Sequence, residues 1–438
     1  MKILLASSGI PGHLNPILSV ANLLKKHNHE VLVVTSPELR AAVLTAGLPF
    51  HSEIPESKTF FGHLLELPGR QDVPPGMETA TFDIVQYFIP NMPAQTKSLQ
   101  LILENFHADI IVADNFYWGI FPFLLGPRNQ RPAVAHLGIS VLNTCSGRSV
   151  PKRKDASEAV MEAERVRRER ILLQPSQIAV DKELSQMGYR PLPCPLFEAM
   201  ATLPDLYLHP GIESFEYPDT TSSFPNVRYV GPLPLPAGET SLPPWWKELD
   251  KKKRLVLVTQ GTLANRDFGQ LIGPALEGLA KEEDVLVLVT TGGQPIDLIP
   301  VEIPSNARVA PFLPFGQIMP HIDLLITNGG YGTVNMALAQ GIPMVTAGLT
   351  EDKEDVSAHV AWAGVGIDLH TNQADSEILR KAAREVLDTP SYRQRAKELA
   401  LEFASHDTEK EILVLLEECV QEQKDFVSSQ ESSELKTA

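Results

Sequence analysis

A histidine lies in the turn that follows the first apolar run of the sequence. Residues 2–6, KILLA, are typical of a buried strand, and SSGIPGHLNP at 7–16 follows directly. Asn15 and Pro16 predict the start of a helix there. An imidazole titrates near pH 6.5, so His13 could take a proton from an attacking hydroxyl as a general base. The alternative, a structural histidine, stays open at this point.

Three glycine-containing turns follow apolar runs in the second half of the chain. They are QGT at 260–262, TTGG at 290–293 and NGGYGTVNMAL at 328–338. Glycines before a helix let backbone N–H groups approach a phosphate, and the helix N-terminus adds partial positive charge. A single turn of this kind could equally be a packing turn. Three of them, with the hydroxyl of Thr333, favour a phosphate-containing ligand.

An acidic turn, LTEDKED at 349–355, comes next and precedes a helical pattern. Ionised carboxylates accept hydrogen bonds, so they suit sugar hydroxyls better than a phosphate. Capping of the following helix explains the same residues, because acids are favourable at helix N-termini. The residues alone leave both interpretations open.

Apolar strands alternate with helical patterns in both halves. Such strands, apolar on both faces and separated by helices, form parallel sheets covered on both sides. We therefore predict an α/β protein with two doubly wound, Rossmann-like domains that face each other across a cleft. The predicted strands are 2–6, 30–35, 109–114, 254–259, 284–291, 323–327, 343–347 and 364–369.

A proline-rich stretch, VGPLPLPAGETSLPP at 230–244, is the best candidate for a linker between the domains. We place the N-terminal domain at 1–235, with a charged helical insertion at about 151–190. The C-terminal domain then spans 236–423 and ends in three amphipathic helices. The polar tail, 424–438, is expected to be disordered.

Composition excludes several functions for the 438-residue chain. The net charge of −16 argues against nucleic-acid binding, and the basic run at 165–170 is best explained as a solvated helix face. No apolar run is long enough for a membrane span, and no secretory signal is expected. Three widely spaced cysteines indicate neither a zinc site nor a redox pair, so a cytoplasmic location is expected.

The segment PFLPFGQIMPHIDLLITNGGYGTVNMALAQGIPMVTAGLTEDK at 311–353 resembles the donor signature of nucleotide-sugar glycosyltransferases of the GT-B fold. The similar family includes plant, fungal and macrolide UDP-glycosyltransferases. GIPGHLNP at 9–16 is similar to the turn that holds the catalytic histidine in that family. The resemblance covers nearly the whole chain, and it implies a UDP-sugar bound by the second domain and an acceptor bound by the first.

Site residues follow from the resemblance by position. Phe312 stands where the family has a tryptophan that stacks on uracil, and Asp352 matches the acid that binds sugar hydroxyls. Four residues depart from the pattern: Asn328 replaces a histidine, Phe315 a glutamine, Met336 a glutamate at the ribose, and Lys353 a glutamine. The donor site implied by the resemblance comprises Thr262, Phe312, Asn328, Gly330, Gly332, Thr333, Asp352 and Lys353.

The resemblance also implies a partner for His13. The family places an orienting acid near the end of a later strand, and Asp114 in DIIVADNFYWG occupies that place. Aromatic residues of the first domain would line the acceptor site, although each could equally belong to the core. Those chosen are Phe116 and Trp118, which follow Asp114, and Phe82.

The expected function is therefore an inverting transfer of a hexose, glucose by preference, from a UDP-sugar to a hydroxyl of a small lipophilic acceptor. Phenolic, flavonoid, steroid or macrolide acceptors are expected, with no metal and no other cofactor. Two alternatives remain: a nucleotide-sugar epimerase or hydrolase of the same fold, and a non-catalytic activator protein. A dinucleotide oxidoreductase is disfavoured because the first turn lacks a G-x-G-x-x-G motif with its later acid.

Overall fold

Two parallel β-sheets organise the chain. The structure, a computed structural model, describes residues 1–142, 157–234, 241–250, 252–262 and 265–437. The first sheet has seven strands in the order β3-β2-β1-β4-β5-β6-β7. These strands are β1 (Lys2–Ala6), β2 (Glu30–Thr35), β3 (Phe50–Ser52), β4 (Ile110–Asp114), β5 (Ala133–Leu137), β6 (Leu206–His209) and β7 (Val227–Tyr229).

The second sheet has six parallel strands in the order β10-β9-β8-β11-β12-β13. Its strands are β8 (Arg254–Thr259), β9 (Val285–Thr290), β10 (Ala307–Ala310), β11 (Leu324–Thr327), β12 (Met344–Thr346) and β13 (Gly366–Asp368). Both sheets thus have the doubly wound order in which the chain runs outward from a central strand, returns and continues on its other side. The predicted fold class, α/β with two Rossmann-like sheets, is confirmed.

Helices cover both faces of each sheet. In the first half they are α1 (Pro11–Lys26), α2 (Arg40–Thr45), α3 (Phe61–Leu65), α4 (Met77–Asp83), α5 (Ile89–Leu103), α6 (Phe121–Leu125), α7 (Glu158–Arg168), α8 (Gln174–Gln186), α9 (Leu196–Thr202) and α10 (Pro218–Thr221). In the second half they are α11 (Ile272–Leu279), α12 (Phe315–Ile318), α13 (Tyr331–Ala339), α14 (Lys353–Trp362), α15 (Ser376–Asp388), α16 (Pro390–Ser405) and α17 (Thr408–Thr437). A π-helical turn, Ile84–Phe88, joins α4 to α5, and another, Glu169–Leu173, joins α7 to α8.

The two faces of each strand belong to different cores, because successive side chains of a strand point to opposite sides. In β1, Ile3 packs into one cluster and Leu4 into the other. In β8, Leu257 and Val258 are divided in the same way between two clusters. This double burial explains why the central strands are apolar without interruption.

The sequence missed five short strands: β3, β5, β6, β7 and β10. β3 and β7 are three-residue strands at the two edges of the first sheet, too short for a periodic pattern. β5, AVAHL, and β6, LYLH, each contain a fully buried histidine that interrupts an apolar run. Each predicted strand is present, with its ends displaced by at most two residues.

The end of the chain returns to the first sheet. Helix α17 packs Ile412, Leu416 and Val420 into a core of that sheet, and Lys26 pairs with Glu409. Residues 424–437, for which disorder was expected, continue this helix. The domain boundaries remain a prediction: residues 235–240 of the expected linker and 143–156, at the start of the expected insertion, lie outside the described residues. Within the insertion, 158–186 is continuously helical.

Candidate functional site

His13 lies in the first turn of α1, at the carboxyl end of β1. The helix begins at Pro11, so the expected start at Asn15 and Pro16 was wrong; Pro16 lies inside the helix. Proline at the first helical position accounts for the earlier start, since its missing N–H is not needed there. The preceding loop is tightly packed, because a Cβ at Gly9 would lie 2.2 Å from the carbonyl oxygen of Thr59.

Asp114 ends β4 and contacts His13 directly. The two strands are neighbours in the first sheet, at the point where the strand order reverses. Ligands of doubly wound sheets bind at such a point. Nδ1 of His13 lies 3.1 Å from Oδ1 of Asp114, which is fully buried. The structure therefore brings together the two residues that the sequence assigned to catalysis, although 101 positions separate them.

Backbone donors hold the Asp114 carboxylate. The N–H of Ser8 donates to Oδ2 at 2.7 Å, and the N–H of Phe116 donates to Oδ1 at 2.9 Å. Burial by itself raises the pKa of Asp114, but the charge and hydrogen bond of His13 and these N–H groups outweigh it, so the pKa is lowered. Asp114 is thus an ionised acceptor, and Nδ1 of His13 must carry the proton between them. In the neutral imidazole, Nε2 then carries the lone pair.

Aromatic rings surround the imidazole of His13. Its centroid lies 5.6 Å from that of Phe116 and 6.1 Å from that of Phe88. Phe116 is half-buried, whereas Trp118 is fully buried behind it and donates its indole N–H to the carbonyl of Asn115. Trp118 therefore supports Phe116 from the core. Phe82 is half-buried on α4.

The strand order of the second sheet also reverses, between β8 and β11, so a ligand is expected to bind there as well. Thr262 is exposed just after β8, and Asn328 follows β11. The amide of Asn328 donates to the carbonyl of Gln260 at 2.7 Å, which ties the two loops together. One of its N–H groups is therefore used within the protein, and the expected contact with a diphosphate falls to the other.

Helix α13 begins in the glycine-rich turn, with Gly330 at its N-cap. A Cβ at Gly332 would meet no protein atom within 4 Å, so the backbone of the first turn borders open space. Thr333 is half-buried in the same turn. No side chain caps this helix, so its first N–H groups have no capping partner and are suited to an anion.

Phe312 is an exposed aromatic ring that follows β10, with 52% of its surface accessible. Its ring packs on the backbone of Gly293, where a Cβ would approach to 2.7 Å. Phe315 and Met336, two of the departures from the family pattern, are half-buried against the core of the second sheet. The exposed face of Phe312 is the feature that an aromatic base could stack on.

Asp352 stands at the N-cap of α14 but makes no capping hydrogen bond. Both interpretations of the acidic turn stay open, because Glu354 and Asp355 lie in the first turn of α14, where acids are favourable. Burial raises the pKa of Asp352, against the charge of Lys353 and the hydroxyl of Ser140. Lys353 is buried, and its ammonium donates to the carboxylate of Glu351.

Contacts join the carboxyl ends of the two sheets. Tyr331 of α13 donates its hydroxyl to the carbonyl of Pro210, which follows β6. Arg168, at the end of α7, forms a buried ion pair with Asp355 of α14 at 3.2 Å. His13 and the first turn of α13 therefore lie on edges of the two sheets that face each other.

Two findings concern metals and membranes. Across the described ranges, no group of three or more histidine, cysteine or acidic side chains could hold a metal ion. No helix in the part of the chain that the structure describes is long and apolar enough to cross a membrane.

Comparisons with known proteins identify the family. A model described as "Erythromycin biosynthesis protein CIII-like, C-terminal domain" matches residues 279–419. The 4'-demethylrebeccamycin synthase of Lentzea aerocolonigenes is 34% identical over 429 residues, which cover 95% of this chain and 99% of that protein. UDP-glycosyltransferase 2 of Phaeomoniella chlamydospora is 34% identical over 427 residues, 92% of each. The chain belongs to the UDP-glycosyltransferase family.

Solved structures similar to this UDP-glycosyltransferase establish its fold as GT-B. The spinosyn rhamnosyltransferase SpnG aligns with a TM-score of 0.67 at 22% identity, covering 95% of this chain and all of that one. The calicheamicin glycosyltransferase CalG4 aligns with a TM-score of 0.72 at 18% identity, covering 96% and 98%. The expected GT-B architecture is thereby confirmed.

Sequence reasoning missed several residues of this region. Phe88 flanks His13, and the Ser8 N–H holds Asp114. Ser8 lies inside the stretch already singled out for its histidine, so its position after β1 was an available signal. Phe88 could not be chosen among neighbouring aromatics, because the π-helical turn that carries it changes the helical periodicity.

Proposed function

We propose that this glycosyltransferase moves glucose from UDP-glucose to a hydroxyl of a small lipophilic acceptor, with inversion at the anomeric carbon. The observation that carries the proposal is the contact of His13 Nδ1 with Asp114 Oδ1 at 3.1 Å. It fixes the tautomer in which Nε2 can accept a proton. A buried carboxylate beside a partly exposed imidazole is also the arrangement that orients a general base and stabilises its charged form.

In the proposed reaction His13 is the general base. Nε2 takes the proton of the acceptor hydroxyl while its oxygen attacks the anomeric carbon of glucose. The bond from that carbon to the diphosphate breaks, and its electron pair leaves with UDP. Asp114 stabilises the imidazolium as it forms, because its ionised carboxylate faces Nδ1.

The second half is proposed to hold the donor. N–H groups at the start of α13, with Thr333, would receive the negative charge that grows on the departing UDP. Phe312 would stack on uracil, Thr262 and Asn328 would approach the diphosphate, and Asp352 and Lys353 would orient the sugar. Support comes from the open space at Gly332 and the exposed ring of Phe312.

The acceptor is proposed to bind against Phe116 and Phe88, close to His13. An apolar wall beside one base suits a flat or polycyclic molecule with a single reacting hydroxyl, such as a phenolic, steroid or macrolide. The proposed donor, UDP-glucose, agrees with the name of one similar protein: UDP-glucosyltransferase B1 of Starmerella bombicola is 31% identical over 428 residues, 94% of this chain. We propose that the reaction needs no metal and takes place in the cytoplasm.

The test is a screen of UDP-sugars against phenolic, steroid and macrolide acceptors, with products detected by mass spectrometry. UDP-glucose with at least one acceptor class should give a product heavier by one hexose. UDP or an isomerised sugar formed without acceptor would favour the epimerase or hydrolase. No turnover with any donor would favour the non-catalytic activator.

The decisive variant is His13→Ala. It should abolish transfer while UDP binding, measured by calorimetry, stays within about twofold of the wild type, because Asp114, Phe88 and Phe116, which the imidazole contacts, all belong to the first half. Loss of UDP binding in this variant would make His13 a structural residue and contradict the proposal.

A further inference from the structure

One arginine of the basic run at 165–170 is buried. The run was expected to form a solvated helix face, and Arg165 and Arg167 do lie on such a face, with 48% and 43% of their side chains accessible. Arg168, the last residue of α7, has a side chain that is only 9% exposed. The expectation is therefore wrong for Arg168, and the mechanism proposed above does not use this residue.

The guanidinium of Arg168 reaches α14 of the second half. Its Nη1 lies 3.3 Å from both carboxylate oxygens of Asp355, and its Nη2 lies 3.2 Å from Oδ2. The Asp355 side chain is 10% exposed, so both charges are largely removed from water. Burial by itself lowers the pKa of Arg168, but the charge and hydrogen bonds of Asp355 outweigh it and raise the pKa. Each charge depends on the other, because an unpaired buried charge is very unfavourable.

Asp355 lies next to the residues proposed to hold the donor. It belongs to the first turn of α14, three residues after Asp352, which is proposed to orient the sugar. The start of α14 also packs on the glycine-rich turn before α13. A Cβ at Gly329 would lie 2.6 Å from Oγ of Ser357 and 3.3 Å from the carbonyl oxygen of Lys353. A ligand bound at these turns would therefore order the backbone that carries Asp355.

On the other side, Arg168 begins a segment that supports the proposed acceptor site. The π-helical turn Glu169–Leu173 follows it directly. Leu172 of this turn is buried in an apolar cluster, and Phe88 and Phe116 pack against the same cluster. These two rings, here called the aromatic wall, are the ones beside the imidazole proposed as the base. The position of Arg168 thus bears on the surface that would bind the acceptor.

We propose that Arg168 and Asp355 couple the two substrate sites, so that a nucleotide bound at the start of α13 and α14 strengthens binding of the acceptor at the aromatic wall. Both are positioning residues, since they act through Leu172 and Asp352. A ligand that orders one site reduces the entropy that ordering of the other still requires, and the ion pair connects the two. This inference rests on the proposed function, because it takes the second half as the donor site.

The test uses a variant that removes both charges, Arg168→Ala combined with Asp355→Ala. Removal of one partner alone would leave a buried unpaired charge and strongly destabilise the protein, whereas the double variant leaves none. The matched control is Arg167→Ala combined with Glu78→Ala. It removes the neighbouring exposed ion pair, which joins α7 to α4 within the first half.

Calorimetry measures the affinity for UDP with and without a saturating acceptor found in the screen. The acceptor should raise UDP affinity about fivefold to tenfold in the wild type and in the control, and less than about twofold in the double variant. UDP affinity without acceptor should stay within about threefold in all three proteins, a separation that general damage to the fold would not produce. Equal coupling in the wild type and the double variant would overturn the proposal, as would a wild type without coupling.

Hydrogen exchange gives a second readout that needs no acceptor. UDP should slow exchange at the amides of 84–88 and 169–173 about fivefold in the wild type, although it binds to the other half. The double variant should lose this protection and keep that of 331–339. Protection confined to the second half of the wild type would overturn the coupling.

A protein that binds no UDP would contradict the proposed function, and the free protein would then decide the coupling. Without ligand, the double variant should exchange faster than the wild type at 169–173 and at 353–362 together, because each segment loses its partner across the ion pair. Unchanged exchange at either segment would overturn the coupling.

Discussion

Replacing Asp114 by asparagine should disable catalysis and leave the donor site intact. The carboxylate accepts from His13 and Phe116 on one oxygen and from Ser8 on the other. An asparagine amide can offer an oxygen to only one of these two sides. If its NH₂ group faces His13, the imidazole must hold its proton on Nε2 and cannot act as a base. If the NH₂ group faces Ser8 instead, it opposes the buried N–H of Ser8, and two donors meet without an acceptor.

The size of the effect follows from the distance between the two groups. Opposite charges 3.1 Å apart attract by about 5 kcal/mol at an effective dielectric constant of about 20. That stabilisation is available only once the imidazolium forms, so its full loss would slow transfer about 10⁴-fold. Asparagine keeps a dipole in place of the charge. We therefore expect kcat to fall by about 10³-fold for Asp114→Asn.

The assay measures kcat for UDP release with an acceptor found in the screen, together with the dissociation constant for UDP. Asp109→Asn, the same change at the opposite end of β4, is the control and should keep its rate. A loss of less than about tenfold in Asp114→Asn would remove Asp114 from the mechanism. A parallel loss of UDP affinity would show damage to the fold instead.

Three further predictions concern the donor half and the buried carboxylate of Glu216. Phe312→Ala should weaken UDP binding about 5- to 100-fold through lost stacking, whereas Phe312→Trp should not; equal affinities would place the base elsewhere. Gly332→Ala should lower UDP affinity about tenfold with no loss of Tm, because its methyl group meets no protein atom within 4 Å; unchanged affinity would exclude this turn from the diphosphate site. The pKa of Glu216 is lowered from 4.5 to about 2, so its contribution to stability is complete above its unfolded pKa and lost as pH falls toward 2. Glu216→Gln should flatten that part of a pH–stability curve measured by thermal unfolding, and an unchanged slope would contradict the burial of an ionised Glu216.

Much of the fold could be predicted because the central strands are buried on both faces. β1, β4, β8 and β9 are continuous apolar runs, and the helices between them show one apolar face. Short edge strands such as β3 could not be predicted, because they carry too few residues for a periodicity. The start of α1 was misplaced because the sequence offers two local signals, Pro11 and the pair Asn15 and Pro16, and the helix begins at the earlier one.

The candidate site could be predicted only in part. The contact between His13 and Asp114 depends on which strands are neighbours, and spacing in the sequence does not determine that. The pairing of His13 with Asp114 was predicted from the resemblance to a known enzyme family. Glu216 and His359 come from different halves of the chain, so spacing in the sequence did not mark their contact. That contact exists only in the assembled structure.

The central claim is that a base from the first half and an anion site from the second act on one reaction. A crystal structure of the protein with UDP and an acceptor that it glycosylates tests this most directly. We expect the acceptor hydroxyl to lie about 2.6–3.2 Å from Nε2 of His13 and the diphosphate to lie on the N–H groups at the start of α13. A hydroxyl held away from His13, or UDP bound outside that turn, would contradict it.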